Sequence, residues 1–76
     1  MYNKMNKKGG VNMKNNLKET REKAYMSQEE LAREAEVSRT IISELENGKT
    51  EVTTNKTLEK IANALNKKVP DIFFID

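Results

Sequence analysis

Apolar side chains recur with a helical period along most of this chain, and the period restarts at recognisable caps. Between Ser27 and Glu36, Leu31, Ala32 and Ala35 fall on one side of a helix while Glu29, Glu30, Arg33 and Glu34 spread over the other. Ser27 followed by Glu30 has capping-box spacing, so a helix starts there, and Glu36-Val37 ends it. Ser38 caps a second helix that runs through Leu45 to Asn47-Gly48, where glycine supplies the left-handed residue favoured at a C-terminus. Upstream, Asn15 or Asn16 caps a helix through Ala24, with Leu17 and Ala24 facing in and Lys14, Lys18 and Lys23 facing out. Arg21 breaks that division. Downstream, Thr54 caps a helix to Leu65 whose core face is Leu58, Ile61, Ala62 and Leu65. Asn66-Lys67-Lys68 turns the chain, and Pro70 suits the first position of a last short helix carrying Ile72, Phe73, Phe74 and Ile75. The pattern predicts an all-α domain of five helices over residues 15–76.

The helix after Ser38 has a distinctive polar side. At about 100° per residue, Arg39, Thr40, Ser43 and Glu44 share one arc and Ile41, Ile42 and Leu45 the opposite one. A helix of about three turns, apolar behind and carrying short hydrogen-bonding groups in front, has the width and chemistry to read base edges in a major groove. Periodicity alone fits an ordinary amphipathic surface helix at least as well.

Resemblance decides between them. Gln28, the turn Ala35-Glu36-Val37-Ser38, and Leu45-Glu46-Asn47-Gly48-Lys49 together resemble the helix-turn-helix of the Cro and phage-repressor (XRE) family. The resemblance extends from Asn16 to Phe73 and implies a five-helix lambda-repressor-like domain that binds double-stranded DNA. It further implies that Ser38, Arg39, Thr40, Ser43 and Glu44 face bases, and that Gln28, Asn47 and Lys49 hold phosphate. Thr50, beside Lys49 in the loop after Gly48, is placed to touch phosphate as well. An arginine at the place of Arg21 pairs in that family with the glutamate of the LENG stretch, so Arg21 is expected to meet Glu46 beneath the reading helix; otherwise Arg21 is merely solvated. Three departures stand out. Family members often have proline near Thr53 and an apolar residue at Asn55, and they usually have glycine where this chain has Glu36, which predicts a strained turn.

Composition narrows the function classes. At 76 residues there is room for one domain, and the absence of histidine and cysteine removes disulfides, thiolate sites and the commonest metal ligand and general base. No enzyme activity, cofactor or metal is therefore expected. The longest apolar stretch, Ile72 to Ile75, is far short of a membrane span and no apolar signal core precedes it, so a cytoplasmic protein is expected; a bacterial or phage-like character is what the resemblance implies. The net charge of +2 is unevenly spread. Residues 1–26 carry seven Lys/Arg and two Glu (+5), residues 27–54 three and seven (−4), and residues 55–76 four and three (+1). An acidic reading segment weakens sequence-independent attraction to phosphate, so binding is expected to be specific, salt-sensitive and not especially tight.

Residues 1–14 lack apolar periodicity and contain Gly9-Gly10, which predicts a disordered basic arm or an extension foreign to the folded domain. Lys8 to Met13 can be encoded with GGAGG about seven nucleotides before the Met13 codon, so residues 1–12 are a candidate untranslated leader. At the other end, a helix cannot turn four consecutive bulky residues into one small core. The resemblance buries Ile72 and Phe73, which leaves Phe74 and Ile75 as an expected homodimer interface. The function expected is a dimeric repressor acting by steric occlusion at a pseudo-palindromic operator. The alternative is an antitoxin that binds a toxin partner and regulates its own operon.

Overall fold

The computed structural model describes residues 13–49 and 53–75; the expected arm and leader over residues 1–12, and Thr50, lie outside them. Five helices follow one another: α1 (Leu17–Lys23), α2 (Gln28–Ala35), α3 (Arg39–Glu46), α4 (Asn55–Ala64) and α5 (Val69–Ile72). A two-stranded antiparallel ribbon ties the ends together, with β1 (Met13–Asn15) against β2 (Phe73–Ile75) in the register Met13 to Ile75, Lys14 to Phe74 and Asn15 to Phe73.

Local chemistry places the helix starts. The Ser27 hydroxyl accepts from the Glu30 amide at 3.0 Å while the Glu30 carboxylate accepts from the Ser27 amide at 2.8 Å, so two otherwise orphaned donors are satisfied reciprocally. Ser38 and Thr54 cap α3 and α4 through their hydroxyl oxygens, which accept from the amides of Ile41 and Thr57, each at 3.2 Å. At α1 the first amide is held from outside the helix, by Asn15 Oδ1 accepting from Leu17 at 3.0 Å. Pro70 occupies the second position of α5, one later than expected, and the Asp71 carboxylate accepts from the Lys68 amide at 3.0 Å.

The first four helices all end alike, in a left-handed residue whose flanking amides close back on the last turn. Tyr25, Glu36, Gly48 and Asn66 have φ of 59°, 59°, 88° and 58°. After each, the next amide reaches the carbonyl five residues back: Met26 to Arg21, Val37 to Ala32, Lys49 to Glu44 and Lys67 to Ala62. This is the Schellman arrangement, which normally recruits glycine. Gly48 is needed for its φ and not for space, since a Cβ there would meet nothing within 4 Å. Asparagine tolerates the conformation, but tyrosine and glutamate pay a steric cost of about 1–2 kcal/mol. Glu36→Gly and Tyr25→Gly are each expected to stabilise the domain by up to about 1 kcal/mol once glycine's larger unfolded-state entropy is subtracted. Thermal unfolding checks this; a clear fall in midpoint for either would show that its side chain makes a compensating contact.

The apolar faces converge on one core of Leu17, Leu31, Ala32, Ala35, Ile42, Leu45, Leu58, Ile61, Ala62, Leu65, Ile72 and Phe73. Ala24, expected inside, is exposed because α1 ends before it and it lies in the turn. The chain end also differs from expectation. Phe73–Ile75 does not continue α5 but is strand, because β1 offers a backbone ladder that a last helical turn would forgo. Side chains therefore alternate here instead of rotating by 100°: Phe73 is 4% exposed and Phe74 38%. The same ribbon includes Met13 and Lys14 in its first strand.

Candidate nucleic-acid interface

Helix α3 presents its apolar side, Ile42 and Leu45 with Ile41 at the margin, to the core. That fixes what remains outward. Arg39 and Thr40 are exposed and Ser43 and Glu44 half-buried, so the four residues of the polar arc lie at or near the surface. Ser38 is exposed, but its hydroxyl oxygen is committed to the cap, leaving its O–H to donate to a ligand. Asn47 and Lys49, both exposed, stand at the other end of the helix, where the Lys49 amide donates to the Glu44 carbonyl at 2.8 Å and fixes the backbone.

Beneath the helix lies a charged network. Arg21 Nε donates to Glu46 Oε2 at 2.6 Å and Nη2 to Oε1 at 3.2 Å, a two-point pairing of guanidinium and carboxylate. The side chains are 10% and 5% exposed. A third bond, from Arg21 Nη1 to the Met26 carbonyl at 2.8 Å, ties the pair to the turn before α2. The hydrogen bonds that Arg21 donates to Glu46 raise the arginine's pKa, against the opposing effect of burial, so the guanidinium stays charged. Gln28, half-buried at the start of α2, extends the network. Its Nε2 donates to Glu46 Oε1 at 3.0 Å, and its Oε1 accepts from Arg39 Nε at 3.4 Å. Of the residues singled out in the sequence, Arg21, Gln28, Arg39 and Glu46 are thus brought into one hydrogen-bonded chain, while Asn47 and Lys49 lie apart from it.

The pairing changes the electrostatic balance of this face. Residues 38–49 hold Arg39 and Lys49 against Glu44 and Glu46, which sums to zero. With Glu46 neutralised by Arg21 the segment presents +1, less hostile to phosphate than the sequence count suggests.

Asn15 was not legible as part of this site. Its Nδ2 donates to the Leu45 carbonyl at 2.9 Å, anchoring the C-terminal end of α3 to β1. Sequence marks Asn15 as a cap, but nothing local signals a contact thirty residues away.

Two helices joined by a tight left-handed turn, the second outward-facing and polar, define a helix-turn-helix protein. A family model described as helix-turn-helix matches residues 17–72. An uncharacterised HTH-type transcriptional regulator of Archaeoglobus fulgidus is 44% identical over 64 residues, covering 84% of this chain and 89% of that protein. The chain belongs to the helix-turn-helix family of DNA-binding transcriptional regulators, of the XRE type. Among the described residues no helix is long and apolar enough to cross a membrane, and no group of three or more acidic, cysteine or histidine side chains could hold a metal.

Proposed function

We propose that this regulator is a sequence-specific repressor that lays α3 in the major groove and blocks access to the DNA by steric occlusion. The observation that carries the reading is the outward Arg39-Thr40 end of α3, backed by the buried Arg21–Glu46 pair and touched by Gln28. Arg39 reads a guanine, whose O6 and N7 match a guanidinium fork. Thr40, Ser43 and the O–H of Ser38 supply short donors and acceptors, and Glu44 accepts from cytosine N4. Lys49 and Asn47 hold phosphate at one end of α3; at the other, Gln28 has one Nε2 hydrogen left for phosphate after bonding Glu46.

Selection of bound duplexes from a random pool tests the reading: one enriched motif is expected, and recovery of unselected sequence would overturn it. On that motif, Arg39→Ala is expected to cost about 1–3 kcal/mol and to relax a single base position. Lys49→Ala is expected to weaken all sequences alike and to flatten the salt slope by about one unit. Equal, uniform losses from both variants would sink the division into base reader and phosphate clamp.

The ribbon supports a mode of assembly. Phe74 is an exposed aromatic opposite Lys14 on the antiparallel strands; the Ile75 side chain lies outside what is described. Two copies meeting around Phe74 form a two-fold dimer whose reading helices enter successive major grooves about 34 Å apart. Phe74→Ser is expected to shift sedimentation towards monomer and to weaken binding to a two-half-site operator more than to one half-site; a variant that stays dimeric would place the interface elsewhere.

A further inference from the structure

We propose that Glu46, which faces no base, is a positioning residue for Arg39 and acts through the amide of Gln28. The inference rests on the reading of Arg39 as a base contact and deepens it. A carboxylate can only accept, so Glu46 Oε1 obliges Gln28 to turn its NH2 inward, with Nε2 donating at 3.0 Å. The amide oxygen must then face the other way, towards Arg39, where it accepts from Nε at 3.4 Å. The Arg21 guanidinium holds both carboxylate oxygens, at 2.6 and 3.2 Å, and so fixes the carboxylate that sets this polarity. Every bond in the chain joins a donor to an acceptor: Arg21 donates to Glu46, Gln28 donates to Glu46, and Arg39 donates to Gln28.

The consequence for reading is geometric. A guanidinium held through Nε keeps its terminal Nη1 and Nη2 edge free, and that edge is one of the two that can span guanine O6 and N7. Restraining one long exposed side chain before DNA arrives removes part of the ordering cost of binding. It also penalises bases that would require Arg39 to swing away. Glu46 thus shapes specificity without reaching the groove.

The Glu46→Gln variant tests this, because a glutamine can place its own NH2 towards Gln28, reverse the Gln28 amide and turn a donor towards Arg39. Gln28→Met cuts the same link while leaving Arg21 and Glu46 paired. Both full-length variants are assayed well below their unfolding midpoints on the selected duplex and on duplexes substituted at the Arg39 base. Each is expected to lower discrimination at that base by about tenfold, within the range of one bidentate contact. In an Arg39→Ala background Glu46→Gln is expected to leave discrimination unchanged. Gln28→Met also removes the phosphate contact assigned to Gln28, so an equal loss on all duplexes is expected beside its change in discrimination; unchanged discrimination at the Arg39 base in both variants would overturn the proposal and leave Glu46 a structural residue. A second readout needs no DNA: the Arg39 Nε–H resonance of the free protein is expected to move in both variants towards that of a solvated arginine. An unmoved resonance overturns the relay whatever the DNA data show. A moved resonance in a protein without sequence preference upholds the relay and overturns the repressor reading.

Discussion

Arg21→Met is expected to destabilise the domain by about 3–5 kcal/mol, the cost of stranding one member of a buried ion pair. Among the described residues, the Glu46 carboxylate, on a side chain 5% exposed, would keep only the Gln28 amide as partner, and the Met26 carbonyl would lose the Arg21 donor. At about 0.05–0.15 kcal/mol per residue, a chain of this size has a total stability of only about 4–11 kcal/mol, so a large part of the population would unfold. The doubly substituted Arg21→Met, Glu46→Leu protein is expected to regain most of the loss, because two apolar groups of similar volume need no partners. It should nevertheless lose preference at the Arg39 base, since Gln28 would no longer be oriented. Urea unfolding checks the stability: a loss below about 1 kcal/mol for Arg21→Met would mean that water solvates the Glu46 carboxylate more freely than its burial indicates.

Phe73→Ala is expected to cost about 3–5 kcal/mol, typical of removing a buried aromatic ring. Phe73 is 4% exposed and packs in the one core that all five helices share. Its backbone is equally committed, with its amide donating to the carbonyl of Val69, the first residue of α5. The neighbouring Phe74→Ser should change monomer stability far less, because that ring is already 38% exposed. The contrast between adjacent phenylalanines is a direct assay of strand geometry, since alternation puts one in and one out. Comparable losses at both positions, measured at protein concentrations where the chain is monomeric, would argue for a helical end of the chain.

The two variants probe parts of the molecule that differed in how far local sequence could reveal them. Ser27 with Glu30, Ser38, Thr54 and Gly48 carry their structural meaning within three or four residues, and caps and turns form accordingly. Leu58, Ile61 and Ala62 recur at helical spacing and are buried. Glu36 was expected to be left-handed from its place in the turn, and is. Tyr25 adopts the same conformation without any such expectation, because neither tyrosine nor its neighbours favour it and the α1–α2 junction imposes it. Burial of Ile72 and Phe73 with exposure of Phe74 was anticipated, although the reasoning relied on helical rotation and the chain achieves it by strand alternation.

Local sequence therefore specifies helices α1 to α4, their apolar faces and the outward polar arc of α3, since caps, turn residues and period act over short range. The tertiary structure decided the rest. Phe73–Ile75 becomes strand because Met13–Asn15, some sixty positions earlier, supplies its hydrogen-bond partners, and no local pattern can announce a partner that distant. Gln28 joins Glu46 to Arg39 because packing of α2 on α3 brings together residues 18 and 11 positions apart. A glutamine amide has a donor end and an acceptor end, and only its surroundings determine which way it points.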